Sequence, residues 1–205
     1  MEAPRTVDVS TIRYSMPTVA ADPITFLPVP AGTKGPGFHE DLWCQTEFVA
    51  ASGLERLKAD LAEFQVFEAR HRVEHGWTAI YARSRPRSVI VPGADVLATI
   101  EGLFGVSRLA PPVLTTSSAV LGQVEGGFAL MPSEGVLLHG LVDDRGITAL
   151  GAILNTDDDM ALTRVFTRLN ARFGLALVDW RLQFVLVDVG ADGMIGIWRP
   201  QARTP

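Results

Sequence analysis

The feature that most constrains the fold is a series of three apolar runs between residues 126 and 154. Two linkers of four residues, 132–135 and 143–146, separate the runs, and each linker ends in glycine. Glycine readily adopts the positive φ with which hairpin loops close. The pattern therefore predicts an antiparallel meander over residues 126–154.

Three other segments place apolar residues at steps of three and four, which is the spacing of an amphipathic helix. They predict helices over about residues 53–75, 94–104 and 157–173. Ser52 and Glu55 have the spacing of a capping box. We therefore expect Ser52 to cap the first of these helices.

The remaining apolar runs are short and rich in β-formers, and hairpin-type turns between them outnumber helical crossovers. Strands that follow one another through tight turns pair antiparallel, and helices then cover a face of the sheet. The sequence predicts an α+β fold with a largely antiparallel sheet of about seven strands and the three helices packed on one face.

The N-terminal part of the chain differs from the rest in its proline content. Six of the 13 prolines fall within residues 1–42, between scattered apolar residues. Proline disfavours helix at its own position and pushes the preceding residue towards extended geometry. We expect residues 1–42 to form an extended arm packed on the body. Residues 43–205 are then a single domain, or two intimately packed subdomains over 43–121 and 122–205.

Composition and charge narrow the classes of partner and compartment. The chain has 205 residues, 47% of them hydrophobic, and a formal net charge of −5. This balance opposes the basic stripe by which proteins bind nucleic acid. No apolar window is long enough to span a membrane, the first residues lack an apolar core of signal-peptide length, and Cys44 is the single cysteine. We expect a cytoplasmic protein without a disulfide, with no nucleic-acid or membrane partner and no cofactor.

The sharpest chemical motif is the string His-Arg-Val-Glu-His at residues 71–75. It fits H-x-x-E-H, in which two histidines one helical turn apart ligate zinc and the glutamate activates a water. His71 and His75 are therefore candidate metal ligands, and Glu74 is a candidate catalytic residue. The alternative is that His71 continues the apolar stripe of its helix as a partly buried histidine, while positive side chains favour the helix end.

A second group of potential ligands lies on an irregular segment. His39, Glu40 and Asp41 follow a Gly-Pro-Gly sequence, and loops carry functional residues disproportionately. They are candidate catalytic residues, with a solvated turn as the alternative. Cys44 is expected to be a buried thiol, although pairing with His39 or His139 as a nucleophile and base is the competing hypothesis.

Two charged runs complete the set of candidates. Arg83, Arg85 and Arg87 alternate around a proline and are candidates for binding an anion or an acidic partner, against the alternative of a solvated loop that protects a strand edge. Three aspartates at residues 157–159 suggest calcium, but they lack the spacing and internal glycine of a calcium loop. We expect them in the first turn of a helix, where carboxylates interact favourably with the helix dipole.

The sequence contains no nucleophile elbow, no phosphate-binding loop and no dinucleotide-binding glycine pattern. Its four tryptophans could anchor an interface, with core packing as the alternative for at least two of them. The leading hypothesis is a non-catalytic cytoplasmic binding protein, of the accessory or immunity type, with a protein partner or as a homodimer. The alternative is a small metal-assisted hydrolase that uses zinc at His71, Glu74 and His75.

Overall fold

Residues 9–84 and 88–201 are described by the structure, a computed structural model, and they form three α-helices and sixteen β-strands. The helices are α1 (Leu54–His71), α2 (Val96–Phe104) and α3 (Asp159–Phe173). The strands, in chain order, are β1 (Thr18–Ala20), β2 (Phe26–Leu27), β3 (Gly37–His39), β4 (Thr46–Ala50), β5 (Arg72–Val73), β6 (Gly76–Trp77), β7 (Tyr81–Arg83), β8 (Val91–Pro92), β9 (Val113–Thr115), β10 (Val120–Val124), β11 (Gly127–Ser133), β12 (Val136–Asp143), β13 (Gly146–Leu154), β14 (Leu175–Asp179), β15 (Phe184–Val189) and β16 (Ile195–Trp198).

The central element is an eight-stranded sheet in which every pair of neighbouring strands is antiparallel. Its order is β11–β12–β13–β4–β14–β15–β16, and β8 pairs with β13 beside this path. β11, β12 and β13 are the meander expected from the sequence, with Gly135 and Gly146 at positive φ in the two turns. The predicted α+β fold class with a largely antiparallel sheet is confirmed.

The helices cover both faces of this sheet, so the expectation that all three lie on one face is wrong. Neighbouring residues of a strand point to opposite faces, and Phe48 and Val49 of β4 show the division. Phe48 lies in the core that contains α2 and α3, whereas Val49 lies in the core that contains α1. β4 can be covered on both faces because each face carries a buried apolar side chain, Phe48 on one and Val49 on the other.

Shorter strands from the N-terminal third of the chain pair with the body. β2 and β3 flank β10 and β9 in a four-stranded sheet, and β1 pairs in parallel with β7. The four-stranded sheet packs beside β12 and β13 through a third apolar core built around Trp43, Cys44 and Leu114. Residues 26–27 and 37–39 of the arm belong to this four-stranded sheet, whereas residues 14 and 18–20 pair with β6 and β7.

The helix ends differ from the expected ones at α1. The helix stops at His71 rather than near residue 75, because Arg72 turns extended and the carbonyl of His71 accepts a hydrogen bond from Thr78 N at 2.8 Å. Its N-cap is Gly53, preceded by a 3-10 turn over Ala51–Gly53, so Ser52 does not cap it. Within the described residues, no helix is long and apolar enough to cross a membrane.

Candidate functional site: a groove along the third helix

An open groove of about 590 Å³ lies along the exposed side of α3. Its volume is in the range of sites that hold a small molecule. Its walls come from the end of α2, the end of β11, the length of α3 and the start of β16. The lining residues are Phe104, Pro132, Ser133, Met160, Thr163, Arg164, Val165, Thr167, Arg168, Gly193 and Ile195.

The groove exists because the central sheet curls around α3. β11 and β16 are the two ends of the strand order, yet Pro132 and Ser133 of β11 line the same groove as Ile195 of β16. A flat sheet would hold these two edges several strand spacings apart. The inward side of α3, with Phe166 and Leu169, packs against the curled sheet, and the outward side is one wall of the groove.

The walls of the groove are largely apolar. Phe104, Pro132 and Ile195 contribute from three different elements. Met160 is 52% exposed on the first turn of α3, and Met194, next to the groove residue Gly193, is 70% exposed. Methionine side chains are flexible and polarisable, and they suit binding surfaces that adapt to their ligand.

Two arginines on α3 supply positive charge to the groove. Arg164 donates to Asp158 at 3.0 Å, and the pair is exposed on both sides. Arg168 donates to the carbonyl of Leu103 at 3.3 Å, and its guanidinium carbon lies 5.8 Å from the centre of the Phe104 ring. No ion pair joins Arg168 to a carboxylate within the described residues.

The hydroxyl groups on the same wall are bonded within the helix. Thr163 donates to the carbonyl of Asp159 at 3.2 Å and Thr167 donates to the carbonyl of Thr163 at 2.9 Å. Ser133, on the opposite wall, has a buried hydroxyl without a hydrogen-bond partner in the described part of the chain. The arginines are therefore the side chains on α3 that offer hydrogen-bond donors outward.

The histidines of the H-x-x-E-H string are not on one helical face. His71 is the last residue of α1, and its ring packs against Phe67 and lies 3.2 Å from Thr78 Oγ1. Glu74 and His75 lie in the turn between β5 and β6, with 3.7 Å between His75 Nε2 and Glu74 Oε1. Among the residues that the structure describes, no group of three or more His, Cys, Asp or Glu residues is placed to hold a metal ion.

Within the His39 cluster, His39 contacts Asp41. His39 Nδ1 accepts a hydrogen bond from the backbone N–H of Asp41 at 3.2 Å and lies 3.3 Å from its carboxylate. Glu40 begins the short 3-10 turn Glu40–Leu42, for which His39 is the N-cap. The cluster therefore contributes to the geometry of a turn before Trp43.

Arg83 lies in the interior, where it is already paired. Its side chain is 3% exposed and donates to Glu47 Oε1 at 3.1 Å and to the carbonyl of Cys44 at 3.0 Å. The same Glu47 oxygen accepts from Trp180 Nε1 at 2.7 Å, and the guanidinium lies over the Trp180 ring. Arg85 and Arg87, the other two arginines of the predicted anion-binding run, lie outside the described residues.

His139, on β12, is a buried polar residue whose burial no sequence pattern indicates. Its ring is fully buried between Phe38 and Trp43, at 4.9 Å from each ring centre. Nε2 accepts a hydrogen bond from the backbone N–H of Cys44 at 3.3 Å. Burial lowers the pKa of His139 to about 3, so the ring is neutral at pH 7 and too weakly basic for general base catalysis.

Sequence reasoning missed the α3 groove because it joins residues that are distant in the chain. A signal was present: arginines recur every four residues at 164, 168 and 172, opposite the apolar stripe of the helix. Trp43 and Trp180 are buried in the core, while Trp77 and Trp198 are partly buried, and none of the four lines the groove.

Comparison with known proteins assigns no family to this arrangement. No protein-family model, no curated protein and no solved structure matches the chain.

Proposed function

We propose that this chain is a non-catalytic interaction protein that binds a segment of a protein partner in the α3 groove. The observation that supports the proposal is an open groove with largely apolar walls and two exposed arginines on one helix. Exposed apolar surface with a polar rim is typical of interaction sites. An accessory or immunity-type role in the cytoplasm is part of the same proposal.

The charge of the chain bears on the class of partner. Its net charge of −5 disfavours nucleic acid, whose binding depends on neutralising phosphates. The apolar walls, including Met160, would contribute to binding by burial of apolar surface, which drives most protein association. A protein segment supplies such surface together with polar groups for the rim.

Site-specific photo-crosslinking tests this proposal. A benzophenone side chain at Thr163 would lie in the groove, and one at Val120, which is exposed on β10, would lie away from it. We expect a covalent adduct with one protein, identified by mass spectrometry, from position 163 and not from position 120. Adducts from both positions, or from neither, would contradict the proposal.

Affinity measurements with the identified partner complete the test. Met160→Lys places a charge in the groove, and Val120→Lys makes the same change at an exposed apolar site elsewhere. We expect calorimetry to show weaker binding by at least about tenfold for Met160→Lys, which corresponds to about 1.4 kcal/mol. The Val120→Lys control is expected to bind like the unmodified protein.

A metal-assisted hydrolase is the alternative predicted from the sequence. It requires zinc at His71 and His75 with Glu74 as the base. Elemental analysis of the untagged protein and of His71→Ala and His75→Ala distinguishes the two proposals. Near-stoichiometric metal that both variants lose would replace the binding proposal with a hydrolase.

A further inference from the structure

The positive charge of α3 is concentrated on its exposed side. Arg164, Arg168 and Arg172 are four residues apart, so they follow one another along a single ridge of the helix. All three are exposed, in a chain whose overall charge is −5. Arg164 and Arg168 line the groove beside this ridge, so two of its lining side chains carry positive charge on an acidic protein.

Of the three arginines, Arg168 has the contacts that most directly favour binding of a ligand. One of its N–H groups donates to the carbonyl of Leu103, and the guanidinium lies near the ring of Phe104. These contacts limit the motion of a long side chain without neutralising its charge. An arginine held in this way loses less conformational freedom when it pairs with a carboxylate.

Arg164 has a carboxylate partner that a ligand can replace at little cost. Its pair with Asp158 is exposed on both sides, and exposed pairs contribute about 0–1 kcal/mol. Asp158 also accepts a hydrogen bond from Met160 N as the N-cap of α3, and this bond does not depend on Arg164. Arg164 can therefore exchange partners while the helix start is preserved.

We infer that the segment bound in the α3 groove is acidic: apolar residues fill the groove and carboxylates pair with Arg164 and Arg168. This inference rests on the proposed function, that the groove binds a protein segment. Arginine and carboxylate form two parallel hydrogen bonds in one plane, so the pairing fixes the position of the segment as well as adding affinity. Methionine and phenylalanine on the walls favour apolar residues next to the carboxylates.

Selection from random peptides displayed on phage tests the inference. The immobilised proteins are the unmodified chain, Met160→Lys, the double variant Arg164→Glu/Arg168→Glu and the control Arg56→Glu/Arg70→Glu. The control reverses two exposed arginines on α1, which lies on the other side of the sheet. Each double variant replaces two arginines by glutamate, so the two have the same net charge. Circular dichroism is expected to show the same folded spectrum for all four proteins, because the altered side chains are exposed.

We expect the unmodified chain and the α1 control to enrich peptides in which Asp or Glu flanks apolar residues. The double groove variant should bind these peptides at least about tenfold more weakly. A different result would be enriched peptides that lack acidic residues, bind the double groove variant and fail to bind Met160→Lys. That result would overturn the inference of an acidic segment and leave the proposed function standing. If no enriched peptide requires Met160 for binding, the acidic inference and the proposed function are both overturned. Sedimentation experiments show whether the unmodified chain self-associates. If it does, and the double groove variant does not, the groove binds a second copy of the chain instead.

Discussion

At the scale of single residues, the most consequential side chain is a histidine that stays neutral. His139 is buried among aromatic rings, and this burial lowers its pKa. Its imidazole accepts one hydrogen bond from the backbone of Cys44. A buried imidazole of this kind must be deprotonated for the chain to fold, which couples the stability of the fold to pH.

The sign of that coupling follows from the two pKa values of His139. The pKa is about 3 in the folded protein and 6.5 in an unfolded chain. Between these values the unfolded state binds a proton that the folded state does not, so the contribution is fully present above pH 6.5 and is lost as the pH falls towards 3. We expect His139→Gln, which keeps a hydrogen-bond acceptor, to reduce the slope of the unfolding free energy against pH by up to about 1.4 kcal/mol per pH unit.

Urea denaturation at several pH values between 4 and 7 measures this slope. His75→Gln is the control, because it removes an exposed histidine in place of a buried one. Equal slopes for His139→Gln and the unmodified protein would contradict the assignment of the pH dependence to His139.

Gly151 makes room for the same imidazole. A Cβ at this position would lie 2.5 Å from His139 Nε2 and 3.2 Å from the Cα of Cys44. We expect Gly151→Ala to lower the free energy of unfolding by about 1–3 kcal/mol, as overpacking does in a dense core. Gly102→Ala in α2 meets nothing within 4 Å and should raise it by about 0.4–1 kcal/mol. Denaturant unfolding that shows the two variants to be alike would refute this account.

At the scale of secondary-structure elements, α3 begins at a cap and α1 begins without one. Asp158 accepts a hydrogen bond from Met160 N at 3.0 Å, whereas the side chain of Ser52 makes no cap bond to α1. We expect Asp158→Ala to cost about 1 kcal/mol of unfolding free energy. Ser52→Ala should change it by less than about 0.5 kcal/mol. Thermal unfolding of both variants checks the pair, and a larger loss for Ser52→Ala would contradict the cap assignment.

These elements show which parts of the fold follow from local sequence. The meander was predictable because glycine-ended linkers and apolar runs act within a few residues of each other. The start of α1 was not, because a 3-10 turn takes Ser52 out of the capping position. Its end depends on a hydrogen bond from Thr78 back to His71, and a helical pattern contains no sign of that bond. The candidate site was the least predictable feature, since Met160 and Ile195 become neighbours only when the sheet curls.

At the scale of the whole molecule, a buried ion pair joins the outer strands to the central sheet. Arg83 is in β7, which pairs with β1, and its partner Glu47 is in β4 at the middle of the large sheet. Trp180 follows β14 and bonds to the same carboxylate. One charged cluster therefore fixes three parts of the chain in relation to each other.

Removing one partner of this pair should be costly. We expect Arg83→Met to lower the free energy of unfolding by about 3–5 kcal/mol, because Glu47 is left as a largely buried charge. The double variant Arg83→Met/Glu47→Gln should regain a large part of that loss. Arg145→Met removes an exposed pair with Asp143 and should change the free energy of unfolding far less. Urea unfolding of the three variants measures these differences, and equal costs for Arg83→Met and Arg145→Met would rule out the assigned role.

The curl of the central sheet also determines how late in synthesis the groove can form. Its walls include Pro132 of β11 and Ile195 of β16, and β16 is the last of the described strands to leave the ribosome. Earlier elements can begin to fold as they emerge, since folding during translation proceeds from the N-terminal side. A partner that requires both walls would therefore bind the finished molecule and not nascent chains. Binding of such a partner indicates that synthesis has reached β16.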